Sequence, residues 1–419
     1  MAMTNSPFAL GIDFGTSGAR AAVLDGQQRV VSLIALGYPN TPRPWHQRWQ
    51  STLESLIRQI PAGLRSGIKA IAVNGTSSTV LLCDAEGIPL TEPIFYNDGR
   101  SSAEAVQLSA IAPKGSPVLS STSSLSKLLW WQAHLEPTRW RQAAYLMHQA
   151  DWLAYLLHRR PGISDYHNAL KLGYDVLQLR YPDWLPATVR ELLPRVVAPG
   201  STIGPIHPAS ADAWGLPHSC QIRAGTTDSI AAFLASGARQ PGTAVTSLGS
   251  TLVLKLLSPV PLFDSRHGIY SHRLGDLWLA GGASNSGGAV LEHFFSAPQL
   301  QHLSQHIDPH QPSSLDYYPL LQTGERFPIN DPAWPPKLTP RPDNDVAFLH
   351  GLLEGIARIE QRGYQLLRQL GAPPLQQVYT AGGGARNVQW SMIRQQLLGC
   401  PVVAATETEA AVGSARLAS

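Results

Sequence analysis

Gly11-Ile12-Asp13-Phe14-Gly15-Thr16-Ser17-Gly18-Ala19-Arg20 is the stretch on which the reading of the fold turns. Phe8 to Asp13 is apolar up to its last residue, so a buried strand carries one carboxylate to its tip. Gly15 to Gly18 makes a tight turn, Ala19 to Leu24 a return strand, Asp25-Gly26 a second hairpin signal, and Val30 to Ile34 a third strand. A glycine turn of this kind can aim N–H and hydroxyl groups at phosphate while the acid orients a hydrated Mg²⁺. An ordinary hairpin fits the same residues.

Outward from this meander, Trp45 to Ile60 has apolar residues at helical spacing and Ile68 to Val73 is a buried strand. Ser126 to His134 and Gln149 to His158 read as helices, and Pro182 to Pro208 as proline-broken surface chain. From Gly242 the N-terminal pattern recurs: Ala244 to Leu248 as a strand, Gly249-Ser250 as its turn, Leu252 to Leu257 as the return strand. Residues 308–342 are proline-rich and read as an insertion or cap. A long helix over 344–370, a strand over 375–380 and helices over 387–398 and 407–418 follow. Strands alternating with helices predict an α/β protein of two related halves.

Composition removes other classes. At 43% hydrophobic and 15% charged, the 419-residue chain is too apolar for disorder, and a net charge of +3 without a basic block does not call for nucleic acid. Cys83, Cys220 and Cys400 form no CxxC pair, so neither a disulfide framework nor a zinc site is indicated and a reducing, cytoplasmic setting is expected. The opening MAMTNSPFALGID lacks the features of an export signal, and no run has the length of a membrane span.

Three further segments carry candidate chemistry. Ser247-Leu248-Gly249-Ser250-Thr251 repeats the strand-then-hydroxyl-glycine-turn design, and two such turns would grip a triphosphate from both sides of a cleft; a plain turn is the alternative. Ala381-Gly382-Gly383-Gly384-Ala385-Arg386-Asn387 links a strand to a helix, where glycines admit a ring or phosphate to the backbone and the helix N-terminus adds a positive dipole. It is not GxGxxG. Gly225-Thr226-Thr227-Asp228-Ser229 places a lone carboxylate before a small-residue helix, as a helix cap or as a proton acceptor.

Taken in chain order, Asp13 to Ser17, Gly225 to Ser229, Ser247 to Thr251 and Gly382 to Asn387, the four segments resemble the FGGY family of carbohydrate kinases. Lys127-Leu128-Leu129-Trp130-Trp131 is similar to that family's K-x-x-W segment, Tyr96 to Arg100 to its W-x-D-x-R segment, and Glu409 to Ala415 to its C-terminal E-A-x-x-G-A-A helix. The resemblance implies a two-domain actin-like ATPase (ribonuclease H-like) fold with the active site in the interdomain cleft. It implies an N-terminal sugar-binding domain over 1–223 and a C-terminal nucleotide-binding domain over 224–419. By the same resemblance Asp13 orients Mg²⁺, and Thr16 and Ser17 meet the β- and γ-phosphates of ATP. Gly249, Ser250 and Thr251 meet the phosphates from the other side, Gly383, Gly384 and Asn387 flank the adenine with Trp390 nearby, and Asp228 is the catalytic base.

For the acceptor, Val73-Asn74-Gly75-Thr76-Ser77-Ser78-Thr79 looks like the hydroxyl-rich segment of ribulokinase-type members, so Ser77, Asp228 and Ser229, with Asp13, are expected to frame a ketopentose. D-Ribulose is the expected acceptor and xylulose the alternative; an actin-like or chaperone-type ATPase without sugar chemistry is the competing class. The chain is expected to act as a monomer or homodimer. His302, His306 and His310 recur every fourth residue, but Pro309 interrupts the helix and a solvated surface is expected rather than a metal site.

Overall fold

The computed structural model describes residues 7–419; the first six residues of the N-terminal stretch discussed above lie outside the described part. The chain divides into two compact units: one runs to Ala235 and takes back Glu409–Ser419, the other is Ser236–Thr408.

The first unit contains β1 (Phe8–Phe14), β2 (Gly18–Leu24), β3 (Val30–Gly37), β4 (Ile68–Gly75), β5 (Val80–Cys83), β6 (Tyr145–His148), β7 (Ile163–Asp165), β8 (Arg195–Val197), β9 (Thr202–Pro205) and β10 (Gln221–Thr227). Its main sheet has the order β3-β2-β1-β4-β10-β9. The meander β1-β2-β3 is antiparallel, as the hairpin signals predict, and β1, β4 and β10 run parallel. β1 and β4 are apolar almost throughout because helices cover both faces of a parallel sheet. On one face lie Trp45–Gln59, burying Trp49, Leu53, Leu56 and Ile57, and the wholly buried helix Gln149–His158. On the other lies the C-terminal helix Ala410–Ala418, whose Ala411, Val412 and Ala415 pack with Ala22, Leu24 and Ala235.

Small residues permit that last contact. A Cβ on Gly11 would stand 2.0 Å from the Ala411 carbonyl, and one on Gly413 would stand 1.8 Å from the Ala231 carbonyl. The closing helix is therefore built into the first unit. The expected boundary at 223/224 falls inside β10, a strand paired with β4 and β9, so the compact first unit extends to Ala235. Residues 182–208, expected as irregular surface chain, supply β8 beside β7 and the edge strand β9, which has exposed prolines only at its end and flanks.

The second unit contains β11 (Thr243–Leu248), β12 (Leu252–Ser258), β13 (Tyr270–Leu274), β14 (Leu277–Ser284), β15 (Gln377–Ala381) and β16 (Val402–Ala404), in the order β13-β14-β12-β11-β15-β16. Without the extra edge strand β13, the order β14-β12-β11-β15-β16 repeats the third-second-first-fourth-fifth order of β3-β2-β1-β4-β10. The self-similarity sensed at Gly242 is thus a repeated topology. The helix Asp345–Gln369 buries Phe348, Leu352, Ile356 and Ile359 against this sheet. The proline-rich segment is anchored rather than loose: Phe327 is fully buried, and the Glu325 carboxylate accepts from Ser284 Oγ (2.6 Å), Asn285 N (2.7 Å) and Tyr318 OH (2.9 Å).

Candidate active site

In the first unit, the parallel strands end side by side. Asp13 on β1 pairs in register with Asn74 on β4, and Asn74 with Thr226 on β10, after which Asp228 opens the helix Asp228–Ala235. The carboxyl ends of parallel strands are where open α/β sheets bind ligands, because loops diverge there and helix N-termini converge.

Asp13 is 4% exposed, and its Oδ1 is buried with no hydrogen-bond partner. Arg20 Nη1 is 3.7 Å from Oδ2, and Arg20 Nε is 3.0 Å from Glu409 Oε2. Burial above all, then the Asp228 carboxylate, pushes the Asp13 carboxyl up to about 7, against the pull of Arg20. A buried, orphaned acid oxygen of this kind fits a hydrated divalent cation, which would supply the missing positive charge. Asp228 is partly exposed, and its Oδ1 accepts from Ser229 N at 2.7 Å. A bond to the next residue's N–H and access to solvent coexist there. Thr16, Ser17 and Ser229 are exposed. The turn is closed by Gly15 N to Gly18 O (3.0 Å) and by the Tyr38 hydroxyl, which donates to Gly15 O at 2.7 Å.

The hydroxyl-rich loop differs from its expected use. Thr76 Oγ1 and Thr79 Oγ1 are 2.6 Å apart, Thr76 also donates to Gln149 Oε1 (3.0 Å), and Thr79 accepts from Tyr96 N (3.0 Å). Both threonines are buried in structural bonds, and Ser78 is buried at φ 66°. Ser77 alone of these four is half-buried rather than buried. Lys127 is fully buried and donates to Ser78 O (2.8 Å) and Phe95 O (2.7 Å), tying this loop to the Tyr96 segment, where Arg100 Nη2 pairs with Asp98 Oδ2 at 2.6 Å.

Four residues here carry roles that their motifs do not announce. Asn74 is buried and donates to Ser414 Oγ (2.7 Å), Gln149 holds the loop, and Arg20 with Glu409 sets the charge around Asp13. The signals were a polar residue inside an apolar strand and a glutamine at the head of an apolar helix.

In the second unit, β11 ends at Leu248 and β15 at Ala381, parallel and adjacent, so the turns Gly249–Thr251 and Gly382–Gly384 are neighbours. The three glycines separate by function. Gly382 has φ 86° and lies 2.6 Å, at its would-be Cβ, from Leu248 O, whereas Gly384 would clash with Leu248 Cβ and Trp390 Cζ3, each at 2.7 Å. Only Gly383 has open space around it, and Gly249 is nearly as open. Asn387 caps the helix Val388–Leu398 by accepting from Trp390 N (3.0 Å) and donates to Ser304 Oγ (2.8 Å); Trp390 is buried, its Nε1 bonded to Leu353 O (2.9 Å). Gly287-Gly288, unmarked in the sequence reading, closes on the first turn through Gly288 N to Gly249 O at 2.8 Å. His302 and His306 stack edge to face at 4.8 Å while His310 meets Gln396 Nε2 at 2.7 Å.

Residues 8–235 match the FGGY family of carbohydrate kinases, N-terminal domain, and residues 244–419 match the C-terminal domain of the same family. The chain belongs to the FGGY family of carbohydrate kinases. This FGGY chain is 26% identical over 445 residues to the xylulose kinase of Escherichia coli (strain K12), with 98% of this chain and 89% of that one covered. It matches the crystal structure of a xyloylose kinase from Brucella ovis with a TM-score of 0.86 at 25% identity, covering 98% and 90% of the two chains. The xylulose kinase from Rhodospirillum rubrum matches with a TM-score of 0.84 at 22% identity, covering 98% and 89%. The expected actin-like ATPase fold of two α/β domains is the fold of this FGGY kinase.

Proposed function

We propose that this kinase transfers the γ-phosphoryl group of ATP to the terminal hydroxyl of a ketopentose, with Mg²⁺. One observation carries the reading: two carboxylates stand at the ends of parallel strands, Asp13 buried with an orphaned oxygen and Asp228 partly open to solvent. The first suits a cation and the second a proton acceptor. Asp228 takes the proton of the attacking hydroxyl as its oxygen bonds to the γ-phosphorus and the bond to the ADP oxygen breaks. Ser77 and Ser229 orient the acceptor, and Thr16 and Ser17 offer hydroxyl and N–H donors to phosphate. When bound, the metal neutralises charge on the phosphates. Gly249, Ser250, Thr251 and Gly383 take the nucleotide; Gly384 and Asn387 support that surface by packing and capping.

D-Xylulose is the acceptor we favour, because the named relatives are xylulose kinases and because Thr76 and Thr79, two of the hydroxyls in the Val73–Thr79 segment on which the expectation of D-ribulose rests, are engaged in structural bonds. D-Ribulose is second. A cytoplasmic enzyme is consistent with ATP as donor and with Cys83, Cys220 and Cys400 all free and buried. No helix among the described residues is long and apolar enough to cross a membrane. We assign no nucleic-acid or membrane partner and a monomeric or homodimeric state, which light scattering tests.

A panel of ketopentoses, aldoses and polyols in an ADP-coupled assay with Mg²⁺ decides the reading. D-Xylulose should give the largest stimulation. Faster turnover of D-ribulose reassigns the acceptor, and indifference of ADP formation to every ketopentose rejects the proposal.

A further inference from the structure

Glu409 stands at the N-cap of the C-terminal helix Ala410–Ala418, yet its side chain makes no cap bond to that helix. Glutamate is not among the residues that cap well, so the helix start does not account for it. Its carboxylate is turned instead to Arg20, with Oε2 3.0 Å from Nε. The helix behind it is closely seated. A Cβ on Gly11, two residues before Asp13 on β1, would stand 2.0 Å from Ala411 O. Asn74 Nδ2 at the end of β4 donates to Ser414 Oγ (2.7 Å) and to Ala410 O (3.4 Å), and Arg416 Nη1 donates to Leu234 O (2.8 Å) and Ala235 O (2.7 Å). These contacts fix the start of the helix, and so Glu409, against the strand ends.

The sheet register makes that position matter. Asp13 on β1 and Arg20 on β2 are direct antiparallel partners, so their side chains leave the sheet as neighbours. A buried carboxylate opposite a guanidinium is ordinarily closed by a bidentate pair at about 2.7–2.9 Å, because an uncompensated buried charge is costly. Here Arg20 Nη1 stops 3.7 Å from Oδ2, beyond a hydrogen bond, and Oδ1 has no partner. The strand pairing itself allows closure; the contact that holds the guanidinium elsewhere is Glu409. We propose that Glu409 is a positioning residue that keeps the Arg20 guanidinium beside Asp13 rather than on it, leaving the Asp13 carboxylate open to a divalent cation. The inference rests on the cation-binding reading of Asp13 given above. A guanidinium and a hydrated cation compete for the same oxygens, so an acid that occupies the guanidinium favours the cation.

The test uses the full chain at about pH 8 with neither nucleotide nor acceptor, and takes the Kd for Mg²⁺ from the rise of Tm with Mg²⁺ concentration, a readout that needs no turnover. Glu409→Gln should raise this Kd by about three- to tenfold, because the released guanidinium closes on Asp13. Glu409→Asp keeps the charge but is one methylene short of Arg20, and it should raise the Kd in the same way. In the Arg20→Met background the effect of Glu409→Gln should vanish. If it persists there in full, or if Glu409→Asp matches wild type, Glu409 acts only as a charge and the inference is overturned. A Glu409→Gln protein with a lowered Tm but a wild-type Kd for Mg²⁺ shows a merely structural role and overturns it as well. Asp13→Asn separates this from the underlying reading. A wild-type Tm indifferent to Mg²⁺, or a Mg²⁺ response that survives in Asp13→Asn, removes the cation from Asp13 and brings down reading and inference together; a response that Asp13→Asn abolishes and the Glu409 variants leave unchanged overturns the inference alone.

Discussion

Arg20 comes no closer than 3.7 Å to Asp13 Oδ2 while its Nε lies 3.0 Å from Glu409 Oε2, so one half-exposed guanidinium serves two acids and leaves the buried one under-compensated. Without metal the Asp13 carboxyl is held up to about 7, chiefly by burial and next by Asp228. An unfolded Asp titrates near 3.9. Between about pH 4 and about pH 7 the folded state therefore binds more protons than the unfolded, and this group's contribution to stability falls as pH rises through that window. Asp13→Asn should match wild type near pH 4 and exceed it by several degrees in Tm at pH 8 without metal. Adding Mg²⁺ should raise the wild-type Tm at pH 8 and leave the variant unmoved, while kcat of the variant falls by about 10² or more. Thermal scans in pH and Mg²⁺ check this; a variant whose Tm still follows the wild-type pH profile contradicts it.

Asp228→Asn separates a cap from a base. Asn caps a helix almost as well as Asp, so Tm should barely change, whereas loss of the proton acceptor should lower kcat by about 10² to 10⁴ with acceptor KM nearly intact. Steady-state kinetics at saturating ATP measure it, and near-wild-type turnover would remove Asp228 from the mechanism.

Lys127 gives a second pH signature, of opposite sign. Burial lowers its ammonium to about 7, against the usual value near 10.4. The unfolded state binds more protons between about pH 7 and pH 10, so this group's contribution to stability rises with pH there. Lys127→Met should lose that rise and leave Ser78 O and Phe95 O without their donor, costing about 1–3 kcal/mol at the alkaline end. Chemical denaturation at pH 7 and pH 10 compares the slopes, and equal slopes count against the assignment.

Glu360 and Arg394, both fully buried, bond at 2.6 Å and 2.8 Å, and they also hold Thr246 Oγ1 on β11 and Thr380 Oγ1 (2.7 Å) on β15. Those strands carry the Gly249 and Gly382 turns. Removing one partner strands a buried charge, so Arg394→Met should cost about 3–5 kcal/mol, and Glu360→Leu/Arg394→Met together should recover a large part of it. Denaturant midpoints of the single and double variants decide; strictly additive losses would show that the pair is not an interacting unit.

Much of this was legible in the order of residues. The meander Phe8–Gly37, the helix at 149–158, the strand at 244–248 and the long helix ending before Gly371 follow from local period and turn chemistry, which act over a few residues. Asp13 stands out in the same way, at the tip of a buried strand before a glycine turn, whereas Asp228 before its small-residue helix reads in sequence as a cap or as a proton acceptor. Only tertiary structure decided what was done with the polar groups between them. Thr76 and Thr79 look like free hydroxyls in sequence, but Gln149, more than seventy positions away, takes one of them. Of three equivalent glycines, Leu248 and Trp390 use up two and leave Gly383 open. The return of Glu409–Ser419 to the first unit depends on Gly11 and Gly413 fitting against distant backbone. Pairing and packing across such separations have no local period, so the chain encodes them only through the shape of the folded neighbours.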